Sequence, residues 1–367
     1  PRRQLQPFKQ QISDSPDHGH CDHHHCHIKK AVDNSSEKIG SSIEQVILVL
    51  PPYNFKRFPL RSKVLIENRI IKKEDIARAI SNSLKTQIDN DVMVIDAVII
   101  KYTANGIVTR RLPENEVCDE LYVDIDLLCA DREMCYEYVS VIENSGIKVL
   151  DITLGNYAAA KEASLFEESL SRNILLMDVN LSCSYLSVLS KGKLASTEIL
   201  FDGLNSIINK VYRDLSLPYN DIPKLVKYSL NYESEYPDDV IYAYNSQGTT
   251  KTISTKELNE CAEKPLNDLI DKLLLMCKPV IDAGALIYLT GEAEQMKAFH
   301  KLLEEKASQK IKTYHPETIG IRNSAYASVY GAFFVYRDKA LLNNLNVNCI
   351  DMLTYEKLID QKELDTE

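Results

Sequence analysis

Apolar positions along the chain fall into strand-length runs separated by longer segments with helical spacing. QVILVLPP, residues 45–52, is almost wholly apolar and is stopped by two prolines, which predicts a buried strand. A helical pattern, IKKAVDNSSEKI at 28–39, precedes it and stops at Gly40. SKVLIEN at 62–68 predicts a strand, and KKEDIARAISNSLKTQ at 72–87 predicts an amphipathic helix. VMVIDAVIIKYTANGIVTRR at 92–111 predicts a hairpin that turns at Asn105-Gly106. DELYVDIDLLCA at 119–130 predicts another strand. DREMCYEYVSVIENSG at 131–146 predicts a helix capped by Asp131 and closed by Gly146, and IKVLDITLG after it reads as extended.

The pattern changes from Asn156. YAAAKEASLFEESLS reads as helical, ILLMDVN at 174–180 as a buried strand, and residues 184–201 as a meander turning at Lys191-Gly192-Lys193. LNSIINKVYRDLSLP and DIPKLVKYSL predict two helices, and VIYAY with KTIST a strand pair. KELNECAEKPLNDLIDKLLLMC at 256–277 predicts a long helix interrupted near Pro265. ALIYLTGEAEQ at 285–295 reads as strand, turn and helix, and residues 324–342 as an apolar helix. The last residues, DMLTYEKLIDQKELDTE, read as an acidic frayed tail. Strands followed by helices, twice over, predict α/β layering.

Composition narrows the function classes. The 367 residues suffice for two or more domains, and 44% hydrophobic with 26% charged residues is ordinary globular composition. A net charge of -10 argues against nonspecific nucleic-acid binding, so no nucleic-acid partner is expected. The nine cysteines show no paired spacing and read as reduced thiols. No apolar run approaches the roughly 18 residues of a membrane helix. The chain starts at Pro1 rather than Met, which suggests a trimmed version of a longer one.

One cluster has metal-ligand chemistry. His18, His20, Cys21, His23, His24, His25, Cys26 and His27 crowd one polar stretch, and imidazole and thiolate are good ligands for Zn, Ni or Cu. The spacing matches no closed tetrahedral site, so a polar variable loop is the alternative. No nucleophile motif surrounds His300, His315 or Cys183. Asp124 and Asp126 share a strand face and read as a solvated edge.

Two strand-end turns carry the strongest signal. The first reads Asp178-Val179-Asn180-Leu181-Ser182-Cys183-Ser184 and the second Leu289-Thr290-Gly291-Glu292-Ala293-Glu294-Gln295. Between them lies Pro223-Lys224-Leu225-Val226-Lys227-Tyr228, and NSAYASVYGAFFVY follows. This order resembles the FtsA-type bacterial cell-division proteins, with their DxGxGT turn, A-E-x-I-K-x-Y segment, TGG turn and P-x-Y-x-T-A-x-G-L-L-x-Y helix. SPDHG, a short helix and QVILVLPPY are similar to the SPSxG hairpin, helix and strand of that family. The related pilus-assembly protein PilM shares the fold and stays open as an alternative.

The resemblance implies an actin-like (ribonuclease-H-like) α/β fold: a two-lobed ATPase scaffold with an inserted small SHS2-like α/β subdomain. It implies lobe 1 from 1–54, the inserted subdomain at 55–152, a second-lobe core at 153–202 and 281–330, and a subdomain at 203–280. A helix at 331–343 returns to lobe 1, and 344–367 is the acidic tail. Implied partners are the C-terminal tail of the tubulin-like protein FtsZ, through 203–280, and other copies of the chain in a head-to-tail filament. Other division proteins would bind through 55–152. The implied place is cytoplasmic, at the inner face of the membrane at the division site. The family's membrane-binding amphipathic helix is not matched by Leu353–Glu367.

By the same resemblance, ATP with Mg2+ would meet Asp178, Asn180, Ser182, Cys183, Lys227, Gly291 and Glu292. The motifs are degenerate. Asn180, Leu181 and Ser182 stand for three glycines, Cys183 for Thr, Glu292 for a second glycine, and Lys224 for Glu. Glycines let backbone N–H groups approach a phosphate, and bulkier residues do not. Two readings stay open: Asp178 organises a hydrated Mg2+, or it is a turn former in a lost site. At most weak ATPase activity is expected, and a sugar-kinase-like enzyme is the third class.

Overall fold

The computed structural model describes residues 23–246, 248–314 and 323–343. The chain divides into two compact units, Pro1–Leu48 with Tyr136–Asp151 and Val49–Cys135 with Ile152–Glu367. In the first, helix α1 (His23–Ile39) ends where Gly40 donates its N–H to Ser36, 2.9 Å away. Strand β1 (Gln45–Leu50) pairs with β6 (Lys148–Leu154). Helix α3 (Arg132–Asn144), whose first turn belongs to the second unit, is capped there by Asp131, whose carboxylate accepts from the Met134 N–H at 2.9 Å. Gly146 closes it, as its pattern predicts.

The second unit holds two larger sheets. One is antiparallel, in the order β2 (Lys56–Leu65), β5 (Glu120–Asp131), β3 (Val92–Ala104) and β4 (Ile107–Thr109). Asn105 and Gly106 sit at φ 50° and 77°, the left-handed pair that a two-residue hairpin demands. Helix α2 (Lys73–Leu84) lays Ile76, Ala77 and Ile80 on Val64, Leu121, Val123 and Ile125, forming a core of its own. β2 begins at Lys56, six residues before the expected start. Pro59 lies inside it and is tolerated because β2 is an edge strand.

The other sheet runs β13 (Ile311–Thr313), β12 (Leu286–Gly291), β7 (Ile174–Val179), β8 (Ser184–Ser190) and β9 (Lys193–Leu200). β13, β12 and β7 are mutually parallel, and β7, β8 and β9 form the expected meander. Helices α6 (Asn205–Leu215), α7 (Ile222–Tyr228), α8 (Thr255–Asp282) and α9 (Lys297–Ala307) share one core with it, together with the ribbon β10 (Val240–Ser246) and β11 (Thr249–Ser254).

Two expectations change. Helix α8 is continuous through Pro265 and Pro279. An interior proline costs about 3 kcal/mol. Leu258, Ala262, Leu266, Leu269, Ile270 and Leu273 are buried on one stripe across it, and each buried Leu or Ile contributes about 1.5–3 kcal/mol. The stripe outweighs the break. The stretch YAAAKEASLFEESLS is helical as expected, in two pieces. It splits into α4 (Gly155–Glu162) and α5 (Leu165–Glu168) at Ser164, whose φ is 52°. The bend aims Leu165 into the Ile174, Leu176 and Leu189 cluster. Second, Asp126 is not on a solvated edge: it is buried, with Arg57 Nη1 2.9 Å from its Oδ2. A buried carboxylate needs such a partner. Asp124 keeps partial exposure between Arg61 and Lys101.

The last described helix, α10 (Ala327–Asn343), follows a short 3-10 turn at Ser324–Tyr326 and packs along α4. At the crossing Gly331 meets the Ala158 backbone.

Candidate functional site

β7 and β12 are parallel neighbours that end at the same level. Asp178 pairs in register with Thr290, and Val179 with Gly291. In α/β sheets the carboxyl ends of parallel strands are where ligands sit. Both sequence-predicted turns therefore meet at one edge.

Their contact is tight. Gly291 has φ 84°, and a Cβ there would lie 2.5 Å from Asp178 Oδ1 and 2.7 Å from the Val179 carbonyl oxygen. Only glycine fits. Asn180 Nδ2 donates to Asp178 Oδ1 at 2.9 Å. The Asn180 N–H is spent on the Cys183 carbonyl at 3.1 Å. The Asn180 and Leu181 carbonyls accept from the N–H groups of Leu204 and Asn205, at 3.0 and 2.7 Å, which stitches the turn to the start of α6. Gly203 permits this, because a Cβ there would sit 2.3 Å from the Asn180 oxygen. Ser182 Oγ accepts from Asn205 Nδ2 at 3.1 Å, and Cys183 Sγ donates to Tyr185 OH at 3.1 Å.

From α7, Lys227 Nζ reaches Glu292 Oε2 at 2.6 Å, both side chains largely withdrawn from solvent. Tyr228 OH donates to Gln295 Oε1 at 3.1 Å. All seven candidates thus lie on the two turns or on the helix beside them. Asp178, Asn180 and Gly291 touch directly, Glu292 and Lys227 form an ion pair, and Ser182 and Cys183 are held by neighbours. Sequence reading missed Gly203, Asn205 and Tyr185, and named Thr290 in the second turn without a role. Asp202-Gly203 ahead of a helix was a readable turn signal. The Thr290 hydroxyl is buried with no hydrogen-bond partner among the described residues, which no local pattern shows.

The electrostatics follow from burial. The Asp178 carboxyl is pushed up to about 6, first by burial and then by Glu292, against the bond from Asn180. The Cys183 thiol is also raised, chiefly by burial, which leaves it a poor nucleophile. The folded state holds the Asp178 proton more tightly than the unfolded chain does. Its contribution is therefore present at low pH and is lost as pH rises through about 6. Asp178→Asn is expected to remove that slope and to stabilise the fold near neutral pH by about 3 kcal/mol. Urea midpoints taken on both sides of the transition check it; an unchanged pH slope contradicts it.

His18, His20 and Cys21 lie outside the described residues. His23, His24, His25 and Cys26 belong to the backbone of α1, and His27 is exposed. Among the described residues no group of three or more His, Cys, Asp or Glu is placed to hold a metal. No helix among them is long and apolar enough to cross a membrane.

Comparison with known proteins gives the class. The solved structure of the PilM-PilN type IV pilus biogenesis complex superposes with a TM-score of 0.53 at 11% identity, covering 84% of both chains. The fold is that of the actin-like proteins. Within that class the sequence is similar to the cell division protein FtsA of Bacillus subtilis, 20% identical over 311 residues, 83% of this chain and 70% of that one. FtsA of Streptococcus pneumoniae is 22% identical over 315 residues, 82% of this chain and 67% of that one. The chain is thus a divergent relative of FtsA. No protein-family model matches it.

Proposed function

We propose that the protein is a cell-division scaffold that binds the C-terminal tail of FtsZ and helps hold the division ring at the inner face of the membrane. The observation that carries this is the similarity to FtsA along more than four-fifths of the chain, on an actin-like fold. The tail docks on residues 203–280, whose exposed tyrosines supply rigid aromatic contact area. Tyr212 and Tyr219 stand there edge to face at 5.4 Å, each about half exposed. Residues 55–152 form the SHS2-like subdomain that receives other division proteins. Head-to-tail copies make a filament in which modest contacts gain by avidity. The membrane connection comes from an amphipathic segment or from a bound partner.

The residues at the strand ends do not fit ATP with Mg2+. Asn180, Leu181 and Ser182 fill the places of glycines, the Asn180 N–H is spent on the Cys183 carbonyl, and Lys227 is paired with Glu292. No catalytic step is assigned to them. Titration with a fluorescent ATP analogue and Mg2+ is expected to show no saturable binding in the micromolar range; saturation there overturns this reading.

Fluorescence anisotropy with a labelled FtsZ tail peptide tests the main proposal. Saturable binding is expected, weakened about fivefold or more by Tyr212→Ala with Tyr219→Ala. A peptide that binds wild type and variant alike contradicts the docking surface. Absence of binding favours the second reading, a pilus or secretion scaffold, which the superposition on the PilM complex supports.

A further inference from the structure

Strand β2 has one partner among the described residues, β5, and its other edge is open. The pairing runs from Lys56↔Cys129 to Leu65↔Glu120 without a register shift. The Ile66 N–H donates to the Asp119 carbonyl at 3.0 Å, so even-numbered amides face β5. Backbone groups of Pro59, Arg61, Lys63 and Leu65 therefore face outward. The Leu65 carbonyl confirms the direction, accepting from Arg78 Nη2 on α2 at 3.2 Å. Pro59, which has no N–H, sits at an outward position where none is required. Beside the open stretch runs a groove of about 820 Å³ between β2 and α2, lined by Val64, Ala77 and Ser81 and by charged side chains of both signs, Lys63, Arg78 and Lys85 with Glu67 and Glu74.

Charge tells what fits. β2 carries Lys56, Arg57, Arg61 and Lys63 and no acid. Its neighbour β5 carries Glu120, Asp124, Asp126 and Asp131 and no base. Opposite charges across strands stabilise a sheet, and like charges directly opposite destabilise it. A second copy of β2 would set Arg61 or Lys63 opposite or diagonal to another basic side chain in every antiparallel register through this stretch. An acidic strand repeats on the open edge the match that β5 makes on the closed one.

We propose that the Arg61–Leu65 half of β2 is a docking edge for an extended acidic segment of a partner polypeptide. The segment adds to the sheet as a fifth strand. Its carboxylates lie opposite Arg61 and Lys63, and its alternate side chains, small and apolar, drop into the groove beside α2. Main-chain bonds supply affinity and the groove supplies specificity. This rests on the reading of residues 55–152 as a partner-binding subdomain and gives that subdomain a chemistry.

The full chain is titrated with a short fluorescein-labelled peptide in which Glu alternates with Val, and with its Lys-for-Glu counterpart. The acidic peptide is expected to bind saturably, and the basic one about tenfold more weakly. Lys63→Glu, at an exposed position, reduces acidic-peptide binding about tenfold. Leu65→Pro removes an outward N–H without changing charge and reduces binding about fivefold, whereas Leu65→Ala leaves it within about twofold. Amide exchange at residues 61–65 slows in the complex. Equal binding of both peptides, or a Leu65→Pro protein that folds and binds like wild type, overturns strand addition. Concentration-dependent dimerisation abolished by Leu65→Pro overturns it in favour of self-pairing. The same proteins are titrated with the FtsZ tail peptide, which Lys63→Glu leaves unaffected. Loss of FtsZ binding alone fails the division reading, and loss of the acidic peptide alone fails this one.

Discussion

Gly331→Ala is expected to destabilise the protein by about 3 kcal/mol or more, although alanine is the better helix former. Gly331 lies inside α10 where that helix crosses α4. A Cβ built there would sit 1.8 Å from the Ala158 carbonyl oxygen and 2.2 Å from its carbon. Nothing flexible can yield, because the obstacle is helix backbone. Its surroundings, Ala158, Ala159 and Ala160 on one side and Ala327, Ala332 and Val335 on the other, are buried and small. The helices must separate, and their close packing goes with them. On an exposed helix the same change would stabilise by up to about 1 kcal/mol. The sign of the effect is therefore diagnostic. A melting temperature lowered by about 6–10 °C is the expected reading; an unchanged or raised one would show that the helices do not meet this way.

Lys339→Met is expected to cost about 3–5 kcal/mol. Asp96, on β3, is 1% exposed. Lys339, near the end of α10, forms an ion pair with it and also donates to the Ile152 carbonyl at 3.1 Å. Thr153 Oγ1 donates to the other carboxylate oxygen, Oδ2, at 2.9 Å. Removing the lysine leaves a carboxylate shut away from water with one hydroxyl for company. Replacing both members is the stringent comparison. Asp96→Asn with Lys339→Met no longer buries an unpaired charge and should recover most of the loss. Urea denaturation of the two single variants and the double variant gives the coupling. A double variant as unstable as the sum of the singles would show that the pair does not interact.

The fold was legible where local chemistry decides it. β7 and β12 announce themselves as near-continuous apolar runs because they are buried on both faces of a parallel pair. Asn105-Gly106, Gly40 and Gly146 mark stops that need nothing from the rest of the chain. Pro265 misled because the burial that overrides it is visible only when α8 is packed. Asp126 misled for the same reason, since alternation along β5 shows which residues share a face but not whether that face is covered. At the candidate site, Asp178 and Gly291 were readable as strand-end residues. That Glu292 closes on Lys227 was not, because it depends on where α7 stands over the second turn. The Asp96–Lys339 pair joins distant parts of the sequence and leaves no local trace.

Co-sedimentation with FtsZ polymers, with and without ATP and Mg2+, tests the central claim most directly. A division scaffold whose strand-end turns are closed by its own side chains should pellet with FtsZ to the same extent in both conditions, and should fail to do so with FtsZ lacking its C-terminal tail. Pelleting that is absent with intact FtsZ, or that appears only when the nucleotide is added, would contradict the account.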